Sequence, residues 1–312
     1  MFAIEFHYFT DRQKHPPCQG ALTAEAFTDI LAYLDRHYEL MPAEDFFETA
    51  LAGKGTDRQI CLSFDDGVSS QWDVAVPCLE KAGLTGMFFC YSAHYAGKPS
   101  MIEIYHDYRF RCFSSVDAFY SRFFQLLRQD PEFAAPELTE KLRSFSYDDY
   151  LIHCPWHSYS DKLFRYTRDR LLSGKQFERL MERMMTESGY AWKEKAAALW
   201  MREDQLRALN RNGHMIGLHS HTHPTDISGF SEARQRKEYE TNAKHLERIL
   251  GSPVKIAAFP CGKDNADTRD ILLSLGIRMA FSAEMTGQGD LMRMPRMNHP
   301  LLVKRMREQA DG

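Results

Sequence analysis

Two short segments hold the residues best suited to chemistry. Ser63-Phe64-Asp65-Asp66-Gly67 places two carboxylates side by side at the end of an apolar run. His219-Ser220-His221-Thr222-His223 places imidazoles four residues apart, which sets both on one face of a helical turn. One carboxylate and two imidazoles make a three-ligand catalytic metal set with a position open for water or substrate. The spare carboxylate is then free to act as a general base on that water. The chemistry this predicts is metal-assisted hydrolysis. Asp-Asp-Gly alone is also what an ordinary turn uses, and lone histidines are mostly surface or satisfied core residues. Three histidines in five positions, directly after a strand, are hard to account for by packing. His221 leaves an alternative open. An extended segment would align all three rings in a three-histidine site, whereas a helical turn, the expected conformation, points His221 elsewhere.

Such residues need a scaffold that brings residue 65 to residue 219. Apolar runs of strand length recur at 2–8, 60–64, 87–91, 215–219, 254–259 and 279–281, with a weaker one at 291–297. Helix-period segments separate most of them: one from Thr23, a cap residue, through Phe27, Ile30, Leu31 and Leu34, then 71–81, 203–212, 232–250 and 267–275. Several end at a glycine: Gly83, Gly213, Gly251 and Gly276. Strand then helix, repeated, predicts an α/β fold with parallel strands, a sheet or a barrel. In a barrel, active sites gather at the C-terminal ends of the strands, which is where both segments fall. The stretch 97–200 breaks the rhythm. It is aromatic-rich and helical in pattern, and reads as an insertion within a single domain spanning 1–312, serving as a stabilising cap or a substrate lid.

Composition narrows the function classes. A chain of 312 residues, 44% hydrophobic and 26% charged with a net charge of −4, is ordinary globular protein without a nucleic-acid footprint. Arg234-Gln235-Arg236-Lys237 reads as a solvated helix face. No basic region followed by a long apolar run opens the chain, and no run is long enough to span a membrane, so the expected location is cytoplasmic. Seven dispersed cysteines without a C-x-x-C pair read as reduced thiols, mostly core filler. Oligomeric state is not legible.

The two motifs also carry a resemblance. Ser63-Phe64-Asp65-Asp66-Gly67 resembles the Thr/Ser-Phe-Asp-Asp-Gly motif of the polysaccharide deacetylases (NodB-like domain, carbohydrate esterase family 4). His219 to His223 resembles that family's His-Ser/Thr-x-x-His motif, preceded by Gly213-His214-x-Ile216-Gly217, and Ala258-Phe259-Pro260-Cys261-Gly262 falls where a third motif ending Pro-Tyr-Gly belongs. The resemblance implies a distorted (β/α) barrel of about seven parallel strands with a largely helical insertion. It also implies a divalent metal, zinc before Co2+, Ni2+ or Mn2+, held by Asp66, His219 and His223. Asp65 would be the base, Ser220 would orient a ligand, and the backbone N–H of Cys261 would stabilise the oxyanion. The family's third-motif Arg is Ala258 here, and Arg296 is expected to reach the base from the last strand instead. Phe6-His7-Tyr8 is similar to a permuted branch that carries the acid on the first strand, so His7 is expected to protonate the leaving amine, with His299 as runner-up. The implied activity is removal of an N-acetyl group from an amino sugar or glycan. The alternatives are hydrolysis of a formamide or cyclic amide, or an inactive glycan-binding barrel. Trp72 and Trp156 could stack on a sugar ring, though packing accounts for each.

Overall fold

The computed structural model describes residues 1–18, 20–132, 136–152, 157–286 and 289–310. It divides into two compact units: Met1–Ser100 with Ala197–Gly312, and Met101–Ala196. In chain order the first hundred residues give β1 (Phe2–Phe6), α1 (Ala24–His37), β2 (Glu39–Leu40), α2 (Ala43–Leu51), β3 (Gln59–Asp65), α3 (Val76–Ala82) and β4 (Gly86–Cys90). The second unit is helical: α4 (Met101–Cys112), α5 (Val116–Gln129), α6 (Pro136–Arg143), α7 (Tyr159–Tyr166), α8 (Gly174–Glu187) and α9 (Trp192–Ala196). The first unit is completed by α10 (Glu203–Arg211), β5 (Met215–Leu218), α11 (Glu232–Leu250), β6 (Ile256–Ala258), α12 (Ala266–Ser274), β7 (Met279–Phe281), β8 (Arg296–Asn298) and α13 (His299–Ala310).

Seven strands run in the order β7-β6-β5-β4-β3-β1-β8, every pair parallel, with the two-residue β2 added beside β3. A parallel bridge from Phe281 to Met294 brings the segment before β8 next to β7, so the parallel strands form a nearly closed, distorted (β/α) barrel. The strands are buried on both faces, which is why their runs read as continuously apolar. One face of the strands (Ile4, Phe6, Leu62, Phe64, Phe88, Leu218) packs with Phe27, Ile30, Leu34, Leu206 and Leu246 of the surrounding helices. On the interior, Ala3, Cys61, Met87, Phe89, Ala258 and Phe281 join Phe46 and Phe47 of α2 in a second cluster. Burying each such phenylalanine contributes about 1.5–3 kcal/mol. Gly217 is required there, because a Cβ on it would lie 2.5 Å from the Phe89 ring.

Local details differ from the sequence expectations for identifiable reasons. The helix expected over 71–81 begins as a wider π turn, Gln71–Ala75, and becomes regular only at Val76. The weak run 291–297 resolves into a 3-10 turn, Leu291–Arg293, followed by the three-residue β8. Helix α2 is absent from the sequence expectations, although its buried residues Ala43, Phe46, Phe47 and Ala50 follow the helical period over its nine residues. Helix α1 starts as the sequence suggests, with Thr23 Oγ1 accepting from the Ala26 N–H. Met101–Ala196 lies inside the expected 97–200 insertion and has its own aromatic core, with Phe164 against Phe119 and Phe123. Cys154-Pro155-Trp156, including the stacking candidate Trp156, falls outside the described residues. Among the described residues no helix is long and apolar enough to cross a membrane.

Candidate active site and metal centre

Asp65 ends β3 in register with Phe89 of β4, and the chain then turns sharply. Asp66 (φ 76°) and Gly67 (φ 63°) are both left-handed, and a Cβ on Gly67 would meet Cys90 Sγ at 2.8 Å. The turn sends consecutive carboxylates to different neighbours. Ser63 Oγ donates to the Ile4 carbonyl (3.0 Å), tying β3 to β1. The fully buried Gln71 amide donates to the carbonyls of His7 (2.9 Å) and Asp65 (2.5 Å), fixing both strand ends together.

The histidine segment is not the helical turn its spacing suggested. Residues 219–223 form an irregular loop in which Ser220 (φ 60°) and His223 (φ 52°) are left-handed. This folds the chain back, so the rings of His219 and His223 lie 4.9 Å apart while His221 turns away to Ser92 (2.9 Å) and stacks on His245. The outcome for His221 is the one expected, reached by different backbone geometry. Helix α11 pins the loop from one side. Asn242 Oδ1 accepts from the His219 N–H (2.9 Å), and the Glu238 carboxylate accepts from the N–H groups of His221 (3.0 Å) and Thr222 (2.8 Å). Ser220 Oγ accepts from the His223 N–H (3.1 Å), holding the second imidazole in place. Among the described residues six non-glycine residues have positive φ, and four of them (Asp66, Ser220, His223, Cys261) sit in these loops. Such backbone costs of order 1–3 kcal/mol per residue and gathers where surrounding structure enforces it for function.

Asp66, His219 and His223 bring one ligand atom each within 4.8 Å of one another. Nε2 of His223 lies 3.2 Å and Nε2 of His219 3.6 Å from Asp66 Oδ1, yet that buried oxygen receives no hydrogen bond. His219 explains why. Its Nδ1 sits 2.9 Å from the Ala258 carbonyl, which can only accept, so Nδ1 carries the proton and Nε2 presents a lone pair. Burial pushes the His219 pKa down to about 4, keeping the ring neutral near pH 7. A lone pair facing two carboxylates is an arrangement that a cation resolves. The donor set, two imidazoles and a carboxylate, fits a divalent transition metal such as zinc.

Asp65 stands beside this group but is held differently. Arg296, inside the barrel and 1% exposed, donates from Nη1 to Asp65 Oδ1 (2.6 Å) and from Nη2 to Oδ2 (2.8 Å), with Nε donating to the Ser282 carbonyl (2.8 Å). Burial alone would raise the Asp65 pKa. The bidentate guanidinium outweighs it and holds the carboxyl well below the usual carboxylate range. His7 lies just past the end of β1, 29% of its side chain exposed, with its Nε2 3.5 Å from Glu5 Oε1. Burial disfavours its charged form, but Glu5, then Asp66 and Asp65, reverse the sign, and its pKa is raised. His299 is not in a surface loop. It opens α13, buried, stacked on Phe6, with Nε2 2.9 Å from the Gly20 carbonyl, and burial lowers its pKa to about 4. A neutral, buried ring is poorly suited to donate a proton. Cys261 is exposed in the turn after β6 with φ 53°. Trp72 packs half-buried against the helix layer.

Sequence reasoning passed over Glu5, Gln71, Glu238 and Asn242. Only Glu5 left a signal, as a charge inside an apolar strand two residues before His7.

Residues 179–280 match the family described as polysaccharide deacetylase. This is the family that the motifs resemble. The match takes in His219, His223 and Cys261, and the carboxylate pair precedes it. The fold is that of solved deacetylases of low identity. A Streptococcus pyogenes deacetylase, PplD, solved with acetate, is 13% identical, covering 96% of this chain and 91% of that one, with a TM-score of 0.54. IcaB from Ammonifex degensii is 14% identical over 95% and 90% of the two chains, TM-score 0.54. The de-N-acetylase from Aggregatibacter actinomycetemcomitans is 12% identical over 95% and 92%, TM-score 0.51. Among curated proteins none matches in sequence.

Proposed function

We propose that this protein is a metal-dependent hydrolase that removes an N-acetyl group from an amino sugar or glycan, with zinc as the expected metal. The observation that carries the reading is the lone pair of His219 Nε2 aimed at a buried Asp66 oxygen that has no hydrogen-bond donor, beside an Asp65 carboxyl gripped by the Arg296 guanidinium. Asp66, His219 and His223 would hold the metal, which when bound polarises the amide carbonyl and acidifies a water. Asp65 takes a proton from the attacking water. Its low pKa makes it a weak base on its own, so the reaction depends on a water already acidified. As the carbon–nitrogen bond breaks, His7 delivers its proton to the leaving nitrogen, and the products are acetate and a free amine. The raised pKa of His7 suits a donor, and its partial exposure leaves it reachable by substrate. The backbone N–H of Cys261 is assigned to the oxyanion, a role that needs no particular side chain.

The test is metal content together with acetate release from N-acetylglucosamine oligomers. About one metal per chain with acetate release supports the reading. Metal without release on any N-acetylated sugar turns the search to other amides. No metal after reconstitution with zinc sinks it.

A further inference from the structure

Glu5 is the one ionisable group at this site without an assigned task. It sits on β1 in an otherwise apolar strand, 4% exposed, two residues before His7, which follows the end of that strand. Its Oε1 lies 3.5 Å from His7 Nε2 and 3.8 Å from Arg296 Nη2, while Oε2 is buried with no hydrogen-bond partner. A buried acceptor left unmade costs about 1–3 kcal/mol. The fold alone gives no reason for a carboxylate at this position.

The charges around it supply one. Facing Glu5 are His7 on its own strand, Asp65 and Asp66 from β3 and the turn after it, Arg296 from β8, and His299 from the start of α13. Arg296 spends two of its three nitrogens on Asp65 and the third on Ser282. One guanidinium thus stands near three carboxyl groups, Glu5, Asp65 and Asp66; burial raises the Glu5 pKa, Arg296 and then His7 oppose that rise, and the His7 imidazolium is the second positive charge within reach of Glu5. His299 cannot play that part, because its ring is buried against Phe6 and bonded to Gly20.

We propose that Glu5 is a positioning residue: it orients the His7 ring, favours the charged form of that ring between turnovers, and links the proton-donating His7 to the Arg296 that holds Asp65. The inference rests on reading His7 as the proton donor of the proposed hydrolysis. Glu5 does not touch substrate; it acts through His7 and Arg296.

The experiment compares wild type, Glu5→Gln and Glu5→Asp, each purified with its metal and checked for metal content and melting temperature. One readout is the NMR titration of the His7 imidazole, its signal assigned by loss in His7→Gln. The other is the pH profile of acetate release from N-acetylglucosamine pentamer. In Glu5→Gln the His7 midpoint falls by about one pH unit, and the alkaline limb of kcat moves down with it. At pH 8 kcat falls about tenfold while KM stays within about twofold. Glu5→Asp lies between the two, and serves alone if Glu5→Gln does not fold. An unchanged His7 midpoint in a folded variant overturns the proposal, as does an unchanged pH profile. If wild type releases no acetate, the proposed reaction is what fails, and the His7 titration still decides the role of Glu5.

Discussion

Two groups of three ligand-type side chains lie at the mouth of the barrel, and both bring their donor atoms within 4.8 Å: Asp66, His219 and His223, and Glu5, His7 and Asp65. By distance they are equivalent. They differ in what else faces them. The second has Arg296 lodged against it, with both Asp65 oxygens occupied and Glu5 3.8 Å from the same guanidinium. A second cation placed there would sit against a guanidinium in a low-dielectric interior. Among the described residues no Arg or Lys forms an ion pair with the first group, although Arg296 and His7 act on Asp66 at longer range, and its one tautomer-fixing bond, His219 Nδ1 to Ala258, turns a lone pair inward. On the proposed reading the two clusters are different devices, the first for holding a metal and the second for holding and moving protons.

The largest effects separate those devices. His219→Ala should abolish metal binding and reduce acetate release to background, measured by metal analysis and product assay. The comparison breaks if this variant still takes up zinc tightly through Glu5, His7 and Asp65. Asp65→Asn should keep the metal and lose about 10²–10⁴-fold in kcat, the range expected for a general base. If that variant turns over normally, another group is the base.

How much of this was legible follows the same division. The candidate metal group was the more legible because Asp66, in Asp65-Asp66-Gly67, and the segment His219 to His223 are each local in sequence. The alternating strands and helices placed both segments at C-terminal strand ends. The proposed proton-handling group is assembled from residues 5, 65 and 296, on β1, β3 and β8, and from residue 7 just past β1. Its logic is charge balance across the barrel interior, which no sequence window contains. Arg296 could be proposed as a partner of Asp65 only by analogy, while its contact with Glu5 required the strand register. The loop geometry was hidden for another reason. Left-handed Asp66, Ser220 and His223 sit in loops that Asn242 and Glu238 tie down and that pack at Gly67 against Cys90, partners distant in sequence.

Arg296→Gln tests the proton side with a smaller effect on turnover. Losing the partner of a buried carboxylate costs about 3–5 kcal/mol of stability. The sign of the pH effect follows from the direction of the Asp65 shift. With Arg296 present the carboxyl stays ionised to well below the usual range, so base ionisation does not limit activity near neutrality. Without it, burial dominates and the pKa rises, so the acid limb of kcat moves to higher pH. An acid limb that stays in place would show that the guanidinium is structural only.

The smallest expected effect asks whether the metal loop is shaped before metal arrives. Glu238 accepts from the backbone of His221 and Thr222 and from the Thr222 hydroxyl (2.8 Å), three bonds that hold the loop carrying His219 and His223. In Glu238→Gln one carboxylate oxygen becomes an amide NH2. The amide oxygen can keep the backbone bonds, and the hydroxyl can reverse its role to accept. The loss is then the charge-assisted part of these bonds, about 1 kcal/mol, read as a lower melting temperature in metal-free protein. If Glu238 holds the loop in its binding geometry, metal binding to the variant must also restore that geometry, so the melting penalty should grow in the metal-loaded protein. The same linkage requires metal to bind a few-fold more weakly to the variant. A larger penalty with metal, together with weaker binding, means that Glu238 prepares the loop. Equal penalties with and without metal, and unchanged affinity, mean that the left-handed residues of the loop fix its shape by themselves.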